Sequence, residues 1–409
     1  MIKKIRKLFV KVYMFIISER VGKYVLSIFL CVALLAGFGV LNEGLISDVI
    51  SIAIGFLISS LLLGLMKVIL GNFEDAVKVT GDTKKLLDMY EGTKKTASYN
   101  GTEGLVAYSE VVVNEGYVFR VQDDENSVYE LPDFVGDNFV DLFGAHARST
   151  KHNFNTIRLD GFEKTGEGEY LIKTGRSTFY NHLLTNRVCD YRLEDDLTLR
   201  DLYEYGPKIS SIEDSKMSNH IGINALVYLS DGELLIPRRK NDSTISKNKI
   251  TSSIATRLIF PKNNGEINEE YLLKTCVLDA LVDRLKFNPE WLKTKDIQVE
   301  FLGFGQNLYE VGKPQFYYTV RVCDLTRAEY LAYIAKHFKD MRTRIDEDKC
   351  IYAVKMDTLQ FHDDDELKFD YYTLTKKGET VKRVRPLMCE KSFICNIWHE
   401  QELQRRKAN

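Results

Sequence analysis

The chain has 409 residues, of which 44% are hydrophobic and 28% charged; this excludes an intrinsically disordered protein and allows two or three structural units. The formal net charge of −2 hides a basic start, since residues 1–23 carry seven lysines and arginines against Glu19, a net charge of +6. The rest of the chain therefore sums to about −8, which argues against binding to a nucleic-acid polymer. The seven scattered cysteines form no CxxC pair and are expected to be free thiols in a reducing compartment.

Two apolar segments follow the basic start. Residues 24–41 (YVLSIFLCVALLAGFGVL) and 49–66 (VISIAIGFLISSLLLGLM) are each uncharged. At 1.5 Å per residue, each would form a helix of about 27 Å, close to the thickness of a bilayer core. Small residues recur on one face of the second segment, at Ser51, Gly55 and Ser59, which favours close association of helices. The pattern predicts a two-helix transmembrane hairpin over 24–70.

The charges around these segments predict their orientation. The flank before the first segment is basic, the link 42–48 is short and acidic, and Lys67 follows the second segment. The positive-inside rule then places both termini in the cytoplasm. We expect residues 71–150 to form a juxtamembrane helix and a small connecting α/β element, and residues 151–409 to form a cytosolic domain.

The cytosolic region alternates strand-like and helix-like patterns. A hairpin is predicted over 218–240 with its turn at Ser230-Asp231-Gly232, followed by a strand over 249–260. Helical spacing of apolar residues predicts helices over 269–287, 325–338 and 386–404. Strands with helices interposed at this density are typical of an α/β/α layered domain.

This order of elements resembles the Nudix domain. When the Nudix box is placed in an ungapped register from Gly265, the first glycine and the apolar positions Leu281 and Phe287 are kept. The positions of its charged residues and second glycine hold Tyr271, Asp279, Ala280, Asp283, Arg284 and Lys286. The predicted fold class is therefore a membrane-anchored α/β protein, in which a two-helix transmembrane hairpin precedes a cytosolic Nudix-like α/β/α sandwich.

The residues at the charged positions of the Nudix box differ from those that metal-dependent hydrolysis needs. A Nudix hydrolase needs several carboxylates on one helix face to hold Mg²⁺ at a pyrophosphate. One aspartate beside an arginine does not supply that charge, and Arg284 would instead attract a phosphate. We therefore expect no enzymatic activity and no cofactor. The alternative is a membrane-tethered hydrolase of nucleoside diphosphate derivatives, with Mg²⁺ held at an atypical site by Glu266, Glu269, Glu270 and Asp279.

The combination of a two-span anchor with a changed Nudix box resembles the SMODS-associated NUDIX effectors of bacterial antiphage signalling (CBASS). The resemblance implies a membrane effector at the bacterial inner membrane, paired with a nucleotidyltransferase that makes a cyclic oligonucleotide second messenger. It further implies that ligand binding leads to homo-oligomerisation and disruption of the lipid bilayer. A structural scaffold without nucleotide affinity is a third alternative.

Candidate ligand-binding residues combine cations for phosphates with side chains that stack on bases or hydrogen-bond their edges. Each has a purely structural explanation as well, such as a solvated strand end for the Arg238–Lys240 run or a core position for Tyr180. The candidates lie on the hairpin, on the following strand, on the box helix and in the segment TGRSTFYNHLLTN: Arg176, Thr178, Tyr180, Asn186, Arg238, Arg239, Lys240, Ser252, Ser253, Arg257, Asp283 and Arg284.

Overall fold

A computed structural model of the chain describes residues 78–146, 153–193, 196–239, 248–262, 265–338, 351–363, 365–375 and 377–408. The basic segment 1–23, the predicted transmembrane hairpin 24–70 and Lys240 lie outside these residues. No helix in the described ranges is long and apolar enough to cross a membrane.

Strands dominate the described residues. They are β1 (Lys94–Tyr99), β2 (Thr102–Val113), β3 (Val118–Val128), β4 (Asn155–Gly166), β5 (Glu169–Thr178), β6 (Gly222–Tyr228), β7 (Glu233–Pro237), β8 (Ile254–Arg257), β9 (Ile297–Asn307), β10 (Lys313–Val322), β11 (Ile351–Lys355), β12 (Gln360–Asp363), β13 (Glu366–Leu374) and β14 (Thr380–Met388).

The helices between these strands are mostly short. They are α1 (Thr83–Met89), α2 (Asp133–Asp137), α3 (Phe139–Gly144), α4 (Phe179–Leu184), α5 (Leu199–Tyr203), α6 (Cys276–Leu285), α7 (Trp291–Thr294), α8 (Arg327–His337) and α9 (Lys391–Ala408). The predicted helices over 269–287 and 325–338 are confirmed as α6 and α8. The terminal helix begins later than predicted, because residues 386–388 extend β14.

The main sheet of the described residues has 11 strands, in the order β1-β2-β9-β10-β6-β7-β11-β13-β12, with β14 paired to β13 and β8 to β6. Its pairs are antiparallel except for β10 with β6. The two ends of this order approach each other, since the Phe361 backbone N–H on β12 donates to Thr102 Oγ1 on β2 over 2.9 Å. Beside this contact, Asn100 Nδ2 donates to the carbonyl oxygens of Asp357 and Leu359, each at 2.8 Å. The sheet is therefore barrel-like.

Helix α9 lies against the inner face of this sheet. It contacts β1, β2, β6, β9 and β10. The side chains from residue 392 to residue 397 are all buried, as are those of His399, Glu400 and Leu403. A helix on the outside of a layered domain buries a single stripe, whereas this one is buried around most of its circumference for about three turns.

The predicted Nudix-like α/β/α sandwich is wrong, because the described domain is a mostly β, barrel-like sheet with a helix packed inside it. Each strand and helix was predicted from residues close together in the sequence. The architecture depends instead on pairing between strands that lie far apart in the sequence, such as β2 with β9. At that pairing Gly303 has φ of 144°, and a Cβ there would clash with the Val112 carbonyl oxygen. The close approach of β2 and β9 therefore requires glycine at position 303. No local sequence pattern predicts this requirement.

Contacts within the chain divide it into two units, whose segments alternate along the sequence. The smaller unit includes Leu131–Phe154 and Phe179–Leu199 and contains α2, α3 and α4. The larger unit, Thr80–Glu130, Asn155–Thr178 and Arg200–Asn409, contains both the main sheet and a three-stranded sheet of order β3-β5-β4. Within the larger unit, aromatic side chains join the two sheets: Phe162 stacks on Phe304 with ring centroids 4.2 Å apart.

Candidate ligand-binding site

Helix α6 has one apolar face and one charged face. Val277, Leu281 and Leu285 are buried in the core, as the spacing of apolar residues predicted, whereas Leu278 and Val282 on the predicted face are only partly buried. A π-helical turn, Tyr271–Thr275, leads into the helix, and the Tyr271 hydroxyl donates to the Ile259 carbonyl oxygen over 2.6 Å. This bond ties the start of the helix to the segment that follows β8. The face away from the core then presents charged side chains to the end of β8.

A small cavity lies between α6 and the end of β8. Its volume is about 30 Å³, and its polar lining comes from Thr256, Arg257, Asp283 and Arg284, with Cys276 and Ala280 on the helix side. Arg284 Nη2 donates to Thr256 Oγ1 over 2.7 Å, which joins the helix to the strand. We call this site the arginine cavity. It brings together Arg257, Asp283 and Arg284, three of the predicted residues.

The electrostatics of the arginine cavity favour an anion. Burial lowers the pKa of Arg257, and the neighbouring charge of Arg284 lowers it further. Burial of the inner part of the exposed Arg284 side chain lowers its pKa as well, with Asp283 opposing this effect and Arg239 adding to it. The charge of Arg284 is thus opposed by those of Arg257 and Arg239, and an anion placed beside Arg284 would relieve that repulsion.

Arg239 has a carboxylate partner of its own. Its Nη2 lies 3.1 Å from Glu390 Oε2, in a pair whose side chains are 25% and 12% exposed. The pair joins the end of the predicted hairpin to the residue just before α9. Arg239 therefore contributes charge to the arginine cavity without lining it.

The size of the arginine cavity limits what it can hold. A volume of 30 Å³ accommodates about one or two water-sized groups. A phosphate oxygen fits this space, whereas a nucleoside does not. A ligand bound here would have to place the rest of its atoms elsewhere.

A larger cavity is lined by the residues that come next in the chain. It has a volume of about 790 Å³, within the size range of small-molecule sites. Thr256–Ile259 contribute to the arginine cavity, whereas Phe260 and Pro261 line the larger one. We call it the acidic cavity, because its lining includes Asp123, Glu125 and Glu266.

Arg176 lies in the wall of the acidic cavity and is held by Asp123. Its Nη1 and Nη2 donate to the two oxygens of that carboxylate, at 2.6 and 2.7 Å. Burial by itself would raise the pKa of Asp123, but hydrogen bonds from Arg176 and Thr174 outweigh it and lower the pKa overall. The Arg176 guanidinium carbon also lies 5.4 Å from the centre of the Phe260 ring. The structure therefore places Arg176 at a cavity but with its charge already paired.

Other predicted residues have structural partners in the larger unit. Ser252 and Ser253 are fully buried. Ser253 Oγ accepts from the Val227 backbone N–H over 2.8 Å, and Ser252 Oγ accepts from Asn396 Nδ2 over 3.4 Å. Arg238 Nε donates to the Asn248 carbonyl oxygen over 2.9 Å. These side chains support the sheet and do not line either cavity.

The remaining predicted residues are dispersed. Tyr180 and Asn186 are buried in the smaller unit, where Tyr180 packs edge-on against Phe143 with ring centroids 4.8 Å apart. Thr178 is the last residue of β5 and is half-buried. Lys240 lies outside the described residues. Thr178, Tyr180 and Asn186 therefore line neither the arginine cavity nor the acidic cavity.

Three of the four carboxylates predicted for the atypical Mg²⁺ site already have hydrogen-bond or ion-pair partners within the protein. Glu269 accepts from the Val121 backbone N–H over 3.0 Å, and these backbone contacts lower its pKa. Asp279 Oδ1 lies 2.8 Å from Lys262 Nζ, and Glu270 Oε1 lies 3.7 Å from Lys274 Nζ. Across the described ranges, no three His, Cys, Asp or Glu side chains come together as a candidate metal group.

The lining of the acidic cavity also includes three residues that the sequence did not predict, Asp123, Glu125 and Phe260. The run 122–127 belongs to β3, and its Asp123 pairs with Arg176 of β5. Six consecutive polar residues do not alternate with apolar ones, so the run 122–127 carries no local strand signal. Comparison with protein-family models gives no match for this chain, and a search of curated proteins gives none either.

Proposed function

We propose that the protein is a membrane-anchored receptor for a phosphate-bearing nucleotide, with a cyclic oligonucleotide as the leading ligand class. The crowding of Arg257, Arg284 and Arg239 around the arginine cavity carries this proposal. Guanidinium groups in a partly desolvated site bind phosphate oxygens by charge-assisted hydrogen bonds. The apolar segments 24–41 and 49–66 support two-pass anchoring in a bacterial inner membrane, with both termini cytoplasmic.

The proposed action is that of an effector and not of an enzyme. Ligand binding promotes homo-oligomerisation, and the spans then pack through their small-residue faces and disrupt the bilayer. The absence of ionisable residues in 24–41 and 49–66 favours disruption over selective ion conduction. The engaged state of Glu269 and Asp279 supports the choice against a metal-dependent hydrolase.

Binding measurements on the full-length protein in detergent micelles test the receptor. The probes are cyclic di-GMP, cyclic di-AMP and cyclic tri-AMP, titrated in parallel with inorganic phosphate. Arg257→Ala and Arg284→Ala should each weaken binding of the tightest probe about 10-fold or more, because each removes a charge-assisted hydrogen bond. Arg405→Ala is the matched control, since Arg405 is exposed and paired with Glu402 at 2.6 Å. Unchanged affinity in both cavity variants would overturn the arginine cavity as the phosphate site.

Permeabilisation of cells tests the effector action. Cells that express the chain should take up a membrane-impermeant dye only when a cyclic-oligonucleotide synthase is active in the same cells. Arg284→Ala should abolish that uptake while the protein remains in the membrane fraction. Dye uptake without the synthase, or equal uptake with Arg284→Ala, would contradict ligand-gated disruption.

A further inference from the structure

The acidic cavity supplies what the arginine cavity lacks, which is space for a base. The arginine cavity holds about 30 Å³, whereas the acidic cavity holds about 790 Å³. Residues 256–259 line the first cavity and residues 260 and 261 line the second, so the two cavities follow one another along this segment. The inference below rests on the proposed function, because it assigns the base of the same nucleotide ligand.

The carboxylates of the acidic cavity differ in their partners. Both oxygens of Asp123 accept hydrogen bonds from Arg176, and Oδ1 accepts a further one from Thr174 at 2.7 Å. Among the described residues, Glu125 and Glu266 have neither a hydrogen-bond donor nor an ion-pair partner. Two carboxylates at this cavity are therefore open to donors of a ligand, while Asp123 is committed to the protein.

The chemistry of the base edges separates the candidates. An ionised carboxylate only accepts hydrogen bonds, and it does so through two adjacent oxygens. Guanine presents two adjacent donors, its N1–H and its N2 amine, which match that geometry. Adenine presents one amine beside the N1 lone pair, which a second carboxylate oxygen would repel. Uracil presents a single donor between two acceptors, and cytosine presents one amine followed by two acceptors. A carboxylate-lined pocket therefore favours guanine.

An aromatic surface for stacking is present at the same place. The Phe260 side chain is 37% exposed. Arg176 covers it with its guanidinium carbon 5.4 Å from the ring centre, and Asp123 fixes the plane of that guanidinium. Bases stack on aromatic rings and on guanidinium planes alike. Phe260 and Arg176 together provide a fixed stacking surface beside the unpartnered carboxylates.

We propose that the acidic cavity binds a guanine base of the nucleotide, with Glu266 and Glu125 accepting from its N1–H and N2 amine and with Phe260 providing the stacking surface. The phosphate of the same ligand lies in the arginine cavity. Selectivity for the base and affinity for the phosphate are then carried by different residues.

A base panel on the full-length protein in detergent tests the proposal. Cyclic di-GMP, cyclic di-IMP and cyclic di-AMP share one ribose-phosphate ring and differ only in their bases. Cyclic di-GMP should bind at least about 10-fold more tightly than cyclic di-AMP, which is the range expected for one bidentate contact. Cyclic di-IMP lacks the N2 amine and should bind with intermediate affinity.

Substitutions then assign the preference to residues. Glu266→Gln and Glu125→Gln keep the side-chain shape but remove the charge, and the double variant should reduce the guanine preference to less than about 2-fold. Phe260→Ala should weaken cyclic di-GMP and cyclic di-AMP by similar factors, about 5-fold or more, because stacking is tolerant of base identity. Phe260→Tyr, which keeps the ring, is its control.

The outcomes separate this inference from the proposed function. Equal affinity for the three dinucleotides, with binding still lost in Arg257→Ala, would overturn the guanine site and leave the phosphate receptor standing. A guanine preference that persists in the Glu125→Gln and Glu266→Gln double variant would also overturn it. No binding of any dinucleotide would overturn the guanine site, and no binding of cyclic tri-AMP either would overturn both.

Discussion

Helices α6 and α9 show two ways of packing a helix in one domain. Helix α6 buries one face and carries Asp283 and Arg284 on the other, at the arginine cavity. Helix α9 is buried on nearly all sides, including the polar side chains of His399 and Glu400. The two helices therefore differ in role: the exposed face of α6 presents charged side chains at a cavity, whereas residues 392–397 of α9 all belong to the core.

The buried Glu400 shows how α9 tolerates polar groups inside the sheet. Its oxygens accept from the Tyr228 hydroxyl over 2.6 Å and from Thr319 Oγ1 over 3.2 Å. Arg321 Nη2 lies 3.4 Å from the same carboxylate. Burial raises the pKa of Glu400, although these donors oppose the effect. A buried carboxylate is retained because strands β6 and β10 supply its donors.

The largest expected effect tests the enclosure of α9. Phe393 is fully buried, so Phe393→Ala should lower the free energy of unfolding by about 3–5 kcal/mol through lost burial and the cavity left behind. Gln404→Ala, at an exposed position of the same helix, should change it by less than about 0.5 kcal/mol. Chemical denaturation followed by fluorescence measures both. A loss below about 1 kcal/mol for Phe393→Ala would contradict enclosure of the helix.

The next effect sharpens the distinction between the two faces of α6. Leu281 is fully buried, and Leu281→Ala should lower the free energy of unfolding by about 2–4 kcal/mol. Arg284→Ala on the opposite face should change stability by no more than about 0.5 kcal/mol and should act on ligand binding instead. The same denaturation experiment compares them. Equal destabilisation by both substitutions would mean that α6 does not have separate structural and binding faces.

The third prediction concerns the buried imidazole of α9. Burial lowers the pKa of His399 to about 3, with Lys95 and Arg406 adding to the effect and Glu402 opposing it. Because the unfolded chain takes up this proton near pH 6.5 and the folded chain does not, stability is full above that pH and falls as the pH drops. His399 alone should account for a loss of about 2 kcal/mol between pH 7 and pH 5.

The variant His399→Phe isolates this contribution. Neither ring nitrogen of His399 has a hydrogen-bond partner among the described residues, and the ring stacks on Tyr317 with centroids 4.3 Å apart. Phenylalanine keeps the ring but does not titrate, so the pH dependence of unfolding should be shallower by about one proton. His146 in the smaller unit also has its pKa lowered to about 3, chiefly by burial, and still contributes in the variant. An unchanged slope would show that His399 takes up its proton in the folded protein.

The smallest effect is expected at the end of α6. Lys286 has φ of 60°, the left-handed conformation that strains a residue with a Cβ, and it stands where the Nudix template has its second glycine. Lys286→Gly should raise the free energy of unfolding by about 0.5 kcal/mol, because it removes that strain. Lys286→Ala keeps the strain and loses the bond from Lys286 Nζ to the Asp283 carbonyl oxygen, so it should give no gain. Thermal unfolding of the two variants decides between strain and hydrogen bonding.

Sequence patterns predicted the elements better than they predicted the site. The apolar spacing of α6 and the turn at Gly232 correctly gave a helix and a hairpin, because both depend on residues close in sequence. Of the site, Arg257, Asp283 and Arg284 were predicted and do share one cavity. Asp123 was missed because its role depends on the pairing of β3 with β5, across about 50 residues.

The sequence by itself determined the local elements, the charges on the exposed face of α6 and the apolar segments near the start of the chain. The tertiary structure decided that the strands form a barrel-like sheet around α9 and that residues 256–261 line two cavities of different chemistry. The physical reason is that helix and turn formation depend on neighbouring residues, whereas sheet closure depends on contacts between distant ones, such as Phe361 with Thr102. A helix enclosed by such a sheet has no single apolar stripe, so its position cannot be predicted from periodicity.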